Sequence, residues 1–253
     1  MPLPADFQAH LQRVDPDRWL AARFVAEPDR RDELLALYAL NDELARVAES
    51  VREPMIGEMR LAWWREALDA VCEGRGPRGH PVLEALAAAL TTGRLPREPL
   101  DRMIDTRSAD LEREPFGDEA ALTAYLDGTA GAVMWAAAVL LDPGARPEHV
   151  EAAGRAWGWA GVWRAGGAWA ARGRRWRPQN WADDMTPEAL AAVVRTRVEE
   201  ALDGARLELQ RLPVAAFPAV AYAGLARDHV RGRRPGDLAK RLKLLRATLT
   251  GRL

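Results

Sequence analysis

Apolar residues recur at spacings of three and four along nearly the whole chain, and no stretch alternates apolar with polar residues between hairpin turns. Such a pattern suits amphipathic helices and speaks against a sheet. Leu34, Leu35, Leu37, Tyr38 and Leu44 mark one face of a helix predicted over residues 29–51. Glu53-Pro54 interrupts it. Met55, Met59, Leu61, Trp63, Leu68 and Val71 follow on a second helix, ended by Gly74, Gly76 and Pro77. Further helices are predicted over 80–90, with Pro81 in the first turn, and over 98–112. Another covers 118–141, with Asp118 as its cap and Asp142-Pro143-Gly144 as its stop. Residues 147–171 and 186–212 carry two more, and 215–231 and 237–249 two shorter ones. A longer loop is left over 173–185. The expected architecture is an all-α single domain of about eight to ten helices over 1–253, with 1–14 as an N-terminal extension. The alternative is two helical domains split near Gly144.

At 253 residues, 48% hydrophobic and 29% charged, the chain has enough apolar matter for a real core and is not a disordered one. Its 36 basic and 37 acidic residues balance to a net charge of -1, so no global field gathers nucleic acid. A nucleic-acid partner is not expected, and any basic site must be local. Cys72 is the single cysteine, which excludes an internal disulfide and a cysteine-based metal site and suits a reducing compartment. Residues 1–10 hold no apolar run of the secretory kind. The longest uncharged apolar runs, 128–141 and 213–226, fall short of the roughly 20 residues a spanning helix needs, and read as buried core helices. A cytoplasmic location is expected, with peripheral attachment at the inner membrane as an option.

Six of the ten tryptophans lie between Trp157 and Trp181. Indoles on more than one face of a helix belong either to a central core helix or to the wall of a long apolar pocket. Arg172-Gly173-Arg174-Arg175-Trp176-Arg177-Pro178 suits an anion, a phosphate or an acidic membrane surface, and equally a solvated helix end. His10, His80, His149 and His229 show no ligand spacing. Asp101 and Asp105 sit on one helix face at a spacing that suits Mg²⁺ through bound water, although one such pair is expected by chance in a helical chain with 37 acids. Glu49 and Glu53 form a similar pair, disturbed by Pro54. There is no glycine-rich phosphate loop, nucleophile elbow or triad signature.

Leu37-Tyr38-Ala39-Leu40, Trp63-Trp64-Arg65, Asp110-Leu111, Tyr125-(x₄)-Ala130-Gly131 and the Arg172–Pro178 run follow one another in an order and spacing that resembles the squalene/phytoene synthase family. The resemblance covers nearly the whole chain. It implies an all-α isoprenoid-synthase-like bundle around a central cavity. It also implies head-to-head joining of prenyl diphosphates, with Mg²⁺ held between two facing D-x-x-x-D motifs. By family position, Tyr38, Asn41, Glu49, Trp64, Asp110, Arg164, Arg172 and Arg174 are the candidate cavity and ligand-binding residues. The first motif falls at 45–49 and reads Ala-Arg-Val-Ala-Glu, keeping Glu49 alone. The second falls at 165–169 and reads Ala-Gly-Gly-Ala-Trp, with no carboxylate; Gly128 stands where the family carries a basic residue.

The segment from Asn41 through Glu43-Leu44-Ala45, Glu49-Ser50-Val51, Ile56-Gly57 and Met59-Arg60-Leu61 to Trp63-Trp64-Arg65 is similar to the branch of this family that contains the mitochondrial complex I assembly factor, and Asp15-x-x-Arg18-Trp19-Leu20 fits loosely. That branch lacks the full metal set, and a bacterial host is expected. Two readings follow from the resemblance. One is a non-catalytic member binding a prenyl or other lipid, a protein partner or an anionic membrane surface, with no catalytic residue and no cofactor. The other is a divergent prenyl-diphosphate transferase using Mg²⁺. A plain structural helical protein without a pocket is the third reading.

Overall fold

The computed structural model describes residues 4–76 and 79–253, and among them there is no strand. The chain opens with two helices, α1 (Ala5–Val14), which falls within the expected extension over 1–14, and α2 (Pro16–Ala22), which follows it. They are short and carry few apolar positions, so periodicity alone does not reveal them. They nevertheless join the core: Leu11 is buried, and His10 Nε2 lies 2.8 Å from Asp42 Oδ2.

Next come α3 (Pro28–Arg46), α4 (Pro54–Cys72) and α5 (Pro81–Thr91), each with proline at its start. Proline is favourable there because its missing N–H is one that the first turn leaves unpaired anyway. Glu53-Pro54 thus opens a helix as well as ending the preceding turn. Gly74 and Gly76 follow α4 with φ of 72° and 49°, conformations that cost glycine little and stop the helix as expected. Pro77 lies outside the described residues.

The helix predicted over 98–112 divides in two. α6 (Arg97–Thr106) tightens into a 3₁₀ segment, Arg107–Leu111. The helix predicted over 118–141 also divides. α7 (Glu119–Leu126) leads through a π-helical turn, Asp127–Gly131, into α8 (Ala132–Leu141). Asp118 caps α7 as expected, accepting from the Ala121 amide at 2.8 Å. Among the described residues, Glu119–Leu141 is the one stretch long and apolar enough to cross a membrane, yet 72% of its apolar window is buried inside the protein. It is a core segment.

α9 (Glu151–Ala171) and α10 (Pro187–Glu208) pack side by side. The loop between them is tied down by backbone bonds from Arg175 to Arg113 (2.8 Å) and from Gln179 to Phe116 (2.9 Å). In place of the helix expected over 215–231, two 3₁₀ segments, Val214–Ala219 and Ala221–Leu225, precede α11 (Ala226–Val230). Pro218 sits within the first of them and cannot donate an α-helical bond. α12 (Asp237–Thr250) closes the chain. One hydrophobic cluster runs through these elements, from Leu11 on α1 to Ala247 on α12.

α9 crosses the π-helical turn at close range. A Cβ built on Gly154 would lie 2.6 Å from the Gly131 Cα, and one on Gly158 would lie 3.0 Å from the Leu126 Cβ. Backbone against backbone has no rotamer to yield. We therefore expect Gly154→Ala to destabilise the protein by about 1–3 kcal/mol despite alanine's better helix propensity, as overpacking does. Urea denaturation checks it, with Gly167→Ala, which meets nothing within 4 Å, as the neutral or mildly stabilising control.

Candidate functional site

A cavity of about 720 Å³ opens between the end of α3, the 3₁₀ segment after α6, the α7–π turn and α9. The lining thus draws on α3, the α7–π segment and α9, which fall within three of the helices predicted from the sequence. α3 ends at Arg46, and the turn that follows, held by Ser50 Oγ donating to the Val47 carbonyl at 2.8 Å, brings Ala48, Glu49, Val51 and Arg52 to the lining. α9 presents Trp157, Gly161, Ala165 and Trp169 at four-residue spacing, one face of the helix. The pocket-wall reading of the tryptophan-rich segment therefore holds for Trp157 and Trp169. Trp159, stacked parallel to Trp181 with centroids 6.3 Å apart, belongs to the core.

A buried charge network forms one wall. Asp110 sits at its centre, 2.9 Å from Arg107 and 2.8 Å from Arg174, and accepts a hydrogen bond from the Tyr125 hydroxyl at 2.7 Å. All three partners line the cavity. Burial and the neighbouring Asp110 push the Tyr125 pKa well up, so the phenol stays protonated and donates. Burial works against the Arg107 charge, but Tyr125 and Asp110 outweigh it and hold that pKa above its ordinary value. Arg107 also donates to Asn41 Oδ1 at 3.3 Å. The 3₁₀ tightening after Thr106 carries both Arg107 and Asp110 into this wall.

The floor is Arg18 of α2. Its guanidinium is ringed by Tyr222, Tyr38 and Trp157 at 5.1, 5.6 and 5.8 Å, and it pairs with Asp15 at 3.0 Å. Burial disfavours its charge, but Tyr222 and Asp15 lead the groups that keep it protonated. Arg174 lies 3.6 Å over the Trp169 ring. The Nε atoms of Arg18 and Arg174 are buried and find no hydrogen-bond partner among the described residues.

Of the eight candidate residues, Asn41, Glu49, Asp110, Arg172 and Arg174 line this cavity, while Tyr38, Trp64 and Arg164 do not. Tyr38 is fully buried on the far side of Arg18's guanidinium, edge-on to Tyr222. Trp64 is on the buried face of α4 and packs against Trp63 and His80. Arg164 is exposed, and its guanidinium stands 5.7 Å from the Trp157 ring. Arg18, Arg52, Arg107 and Arg113 are lining arginines that the sequence did not make site candidates. Arg107 carried one signal, its place three residues before Asp110. Arg18 carried only its loose motif with Asp15.

Much of the Arg172 cluster is spent within the protein. Arg172 pairs with Glu49 at 2.6 Å, Arg174 with Asp110, and Arg175 with Asp183. The acidic pair at Asp101 and Asp105 is likewise engaged, with Arg97 and Arg65 respectively, and lies outside the cavity lining.

The Mg²⁺ that the resemblance implies does not fit this donor set. Among the described residues no three His, Cys, Asp or Glu side chains come together to hold a metal ion. Glu49 and Asp110 already face arginines, and the α9 part of the lining reads Gly161, Ala165 and Trp169. What the site offers is guanidinium: Arg18, Arg52, Arg107, Arg113, Arg172 and Arg174, beside an apolar wall. Such a surface suits an anionic head on an apolar tail.

Known proteins match this fold. Across 97% of this chain and 95% of the other, the fold superposes on a dehydrosqualene synthase solved in complex with ligand, with a TM-score of 0.79 and 16% identity. It also superposes on the squalene synthase HpnC from Alicyclobacillus acidocaldarius, with a TM-score of 0.69, 18% identity and coverage of 98% and 96%. At these identities the likeness is one of fold. In sequence, the chain is 26% identical to NADH dehydrogenase (ubiquinone) complex I, assembly factor 6 of Bos taurus, over 80% of this chain and 66% of that protein. The same factor of Mus musculus is 35% identical over 40% of this chain and 30% of its own length. The chain thus spans less than two thirds of these relatives. The profile of squalene/phytoene synthases matches residues 11–248, so the chain belongs to the squalene/phytoene synthase family.

Proposed function

We propose that this is a non-catalytic member of the family, with degenerate aspartate motifs, that binds the anionic head of a prenyl or other lipid through arginines and needs no metal. One observation carries this reading: the cavity lining presents guanidinium groups where a Mg²⁺ site would need facing carboxylates. The unpartnered buried Nε atoms of Arg18 and Arg174 are spare donors for such a head. The relatives named as complex I assembly factors support a binding role rather than a synthetic one. For a protein partner, α4 offers Met55, Met59 and Trp63, exposed at four-residue spacing where Pro54 meets the cavity rim. We propose a cytoplasmic location, peripheral at the inner membrane, which the single free Cys72 suits. The divergent transferase needs carboxylates on α9 at 165–169, where the chain has none.

Titration calorimetry with farnesyl diphosphate tests the binding mode. We expect binding in EDTA, with no gain when Mg²⁺ is added. Arg174→Ala removes a charge-assisted donor and is expected to weaken binding about tenfold or more. Binding that appears only with Mg²⁺ would defeat the proposal.

A further inference from the structure

Between Arg227 and Leu253 stand nine basic side chains and two acidic ones, Asp228 and Asp237, in a chain whose net charge is -1. α12 lies in this stretch. It is seated by buried Leu244 and Ala247, by Lys240 donating to Asp17 at 2.7 Å, and by Lys243 paired with Asp228. Its other side is apolar and uncovered: Leu238, Leu242, Leu245 and Leu249 are 72%, 57%, 39% and 67% exposed. Steps of four, three and four put these leucines on one stripe, and about 100° per residue puts Arg241 and Arg246 on its two flanks. Arg246 also lines a second cavity of about 690 Å³, together with Arg231, Arg233, Lys243 and Arg252. Arg233, Arg241, Arg246 and Arg252 have no carboxylate partner among the described residues. They differ in this from the paired arginines at 172, 174 and 175.

We propose that α12 and the adjoining basic cavity form a docking site for a membrane surface. The cavity takes anionic phospholipid headgroups, and the leucine stripe enters the interface. The two halves of the site need different things, and an anionic bilayer supplies both in one plane: phosphate for the arginines, and the acyl boundary for the leucines. A nucleic acid would leave four leucines in water. A second copy of this face would bring the same positive excess against itself. The site shares no residue with the cavity assigned above, and it rests on the peripheral location proposed above, naming the face that meets the membrane.

Vesicle flotation of the full chain at low salt tests it, with phosphatidylcholine alone and with about 30% phosphatidylglycerol. We expect flotation with the anionic vesicles only. At about a fivefold change in partition for each arginine near the surface, Arg241→Ala/Arg246→Ala is expected to weaken it about thirtyfold. Leu242→Ser/Leu249→Ser is expected to weaken it about tenfold or more, since it removes apolar area from the interface. Both pairs are exposed, so an unchanged melting temperature shows that the fold is intact. Several results would overturn the site: equal flotation with neutral vesicles, leucine variants that float like wild type, a dimer dispersed by the leucine changes, or tighter binding to RNA that ignores them. No prenyl diphosphate enters this assay, so its failure leaves the proposal for the large cavity standing, and the reverse.

Discussion

Asp110→Ala is expected to cost about 3–5 kcal/mol of stability, read as a shift of the urea midpoint. Removing one member of a buried ion pair strands the other, and here two are stranded. The side chains of Asp110, Arg107 and Arg174 are 5%, 13% and 12% exposed, so water replaces little of what is lost. Tyr125 loses its acceptor as well. Asp110→Asn keeps an acceptor for the phenol and is expected to cost less. A second measurement separates packing from charge. Pyrophosphate binding to the stranded arginines stabilises the folded state by mass action, so it should raise the melting temperature of Asp110→Ala more than that of wild type. A loss under about 1 kcal/mol, or an equal response to pyrophosphate, would mean that Asp110 does not organise these arginines.

How this wall was hidden in the sequence is instructive. The helices α3, α4, α9 and α10 have long apolar periods and clear punctuation, such as Pro54 and the Thr186 cap, so their existence was legible. Periodicity does not show where a helix changes pitch. The 3₁₀ segment at Arg107–Leu111 and the π turn at Asp127–Gly131 keep a helical apolar pattern while re-aiming the side chains. Arg107 and Thr129 reach the cavity from these two segments. Asn41 and Asp110 were legible only by family resemblance; Arg172 and Arg174 also stood out as an arginine-dense run and Glu49 as half of an acidic pair, but no local spacing joins residues so far apart in the chain. Arg18 needs the fold itself, for α2 is seven residues long and its arginine acquires meaning only among Tyr38, Trp157 and Tyr222. Tyr38 and Trp64 resembled site residues by position but serve the core.

Purified protein given farnesyl or geranylgeranyl diphosphate with Mg²⁺ or Mn²⁺ is expected to release no pyrophosphate and form no C30 or C40 product above the protein-free background. Ionising the carbon–oxygen bond puts a large negative charge on the leaving diphosphate, which the site must neutralise. One preorganised electrostatic contact of this kind is worth about 3–4 kcal/mol, or roughly 10²–10³ in rate. A lost metal cluster removes several such contacts together. Glu49 cannot rebuild the cluster alone. Mg²⁺ keeps much of its water and is typically held by one or two carboxylates plus substrate phosphates. Glu49 pairs with Arg172, and the α9 part of the lining offers Ala165 and Trp169, which hold no metal. Asp105 pairs with Arg65 outside the lining and offers no substitute. Glu49→Gln and Asp105→Asn should therefore leave the blank result unchanged. Turnover abolished by either substitution would establish a working metal site and make the chain a transferase. Diphosphate bound tightly and recovered intact is the outcome that a retained cavity without its metal chemistry requires.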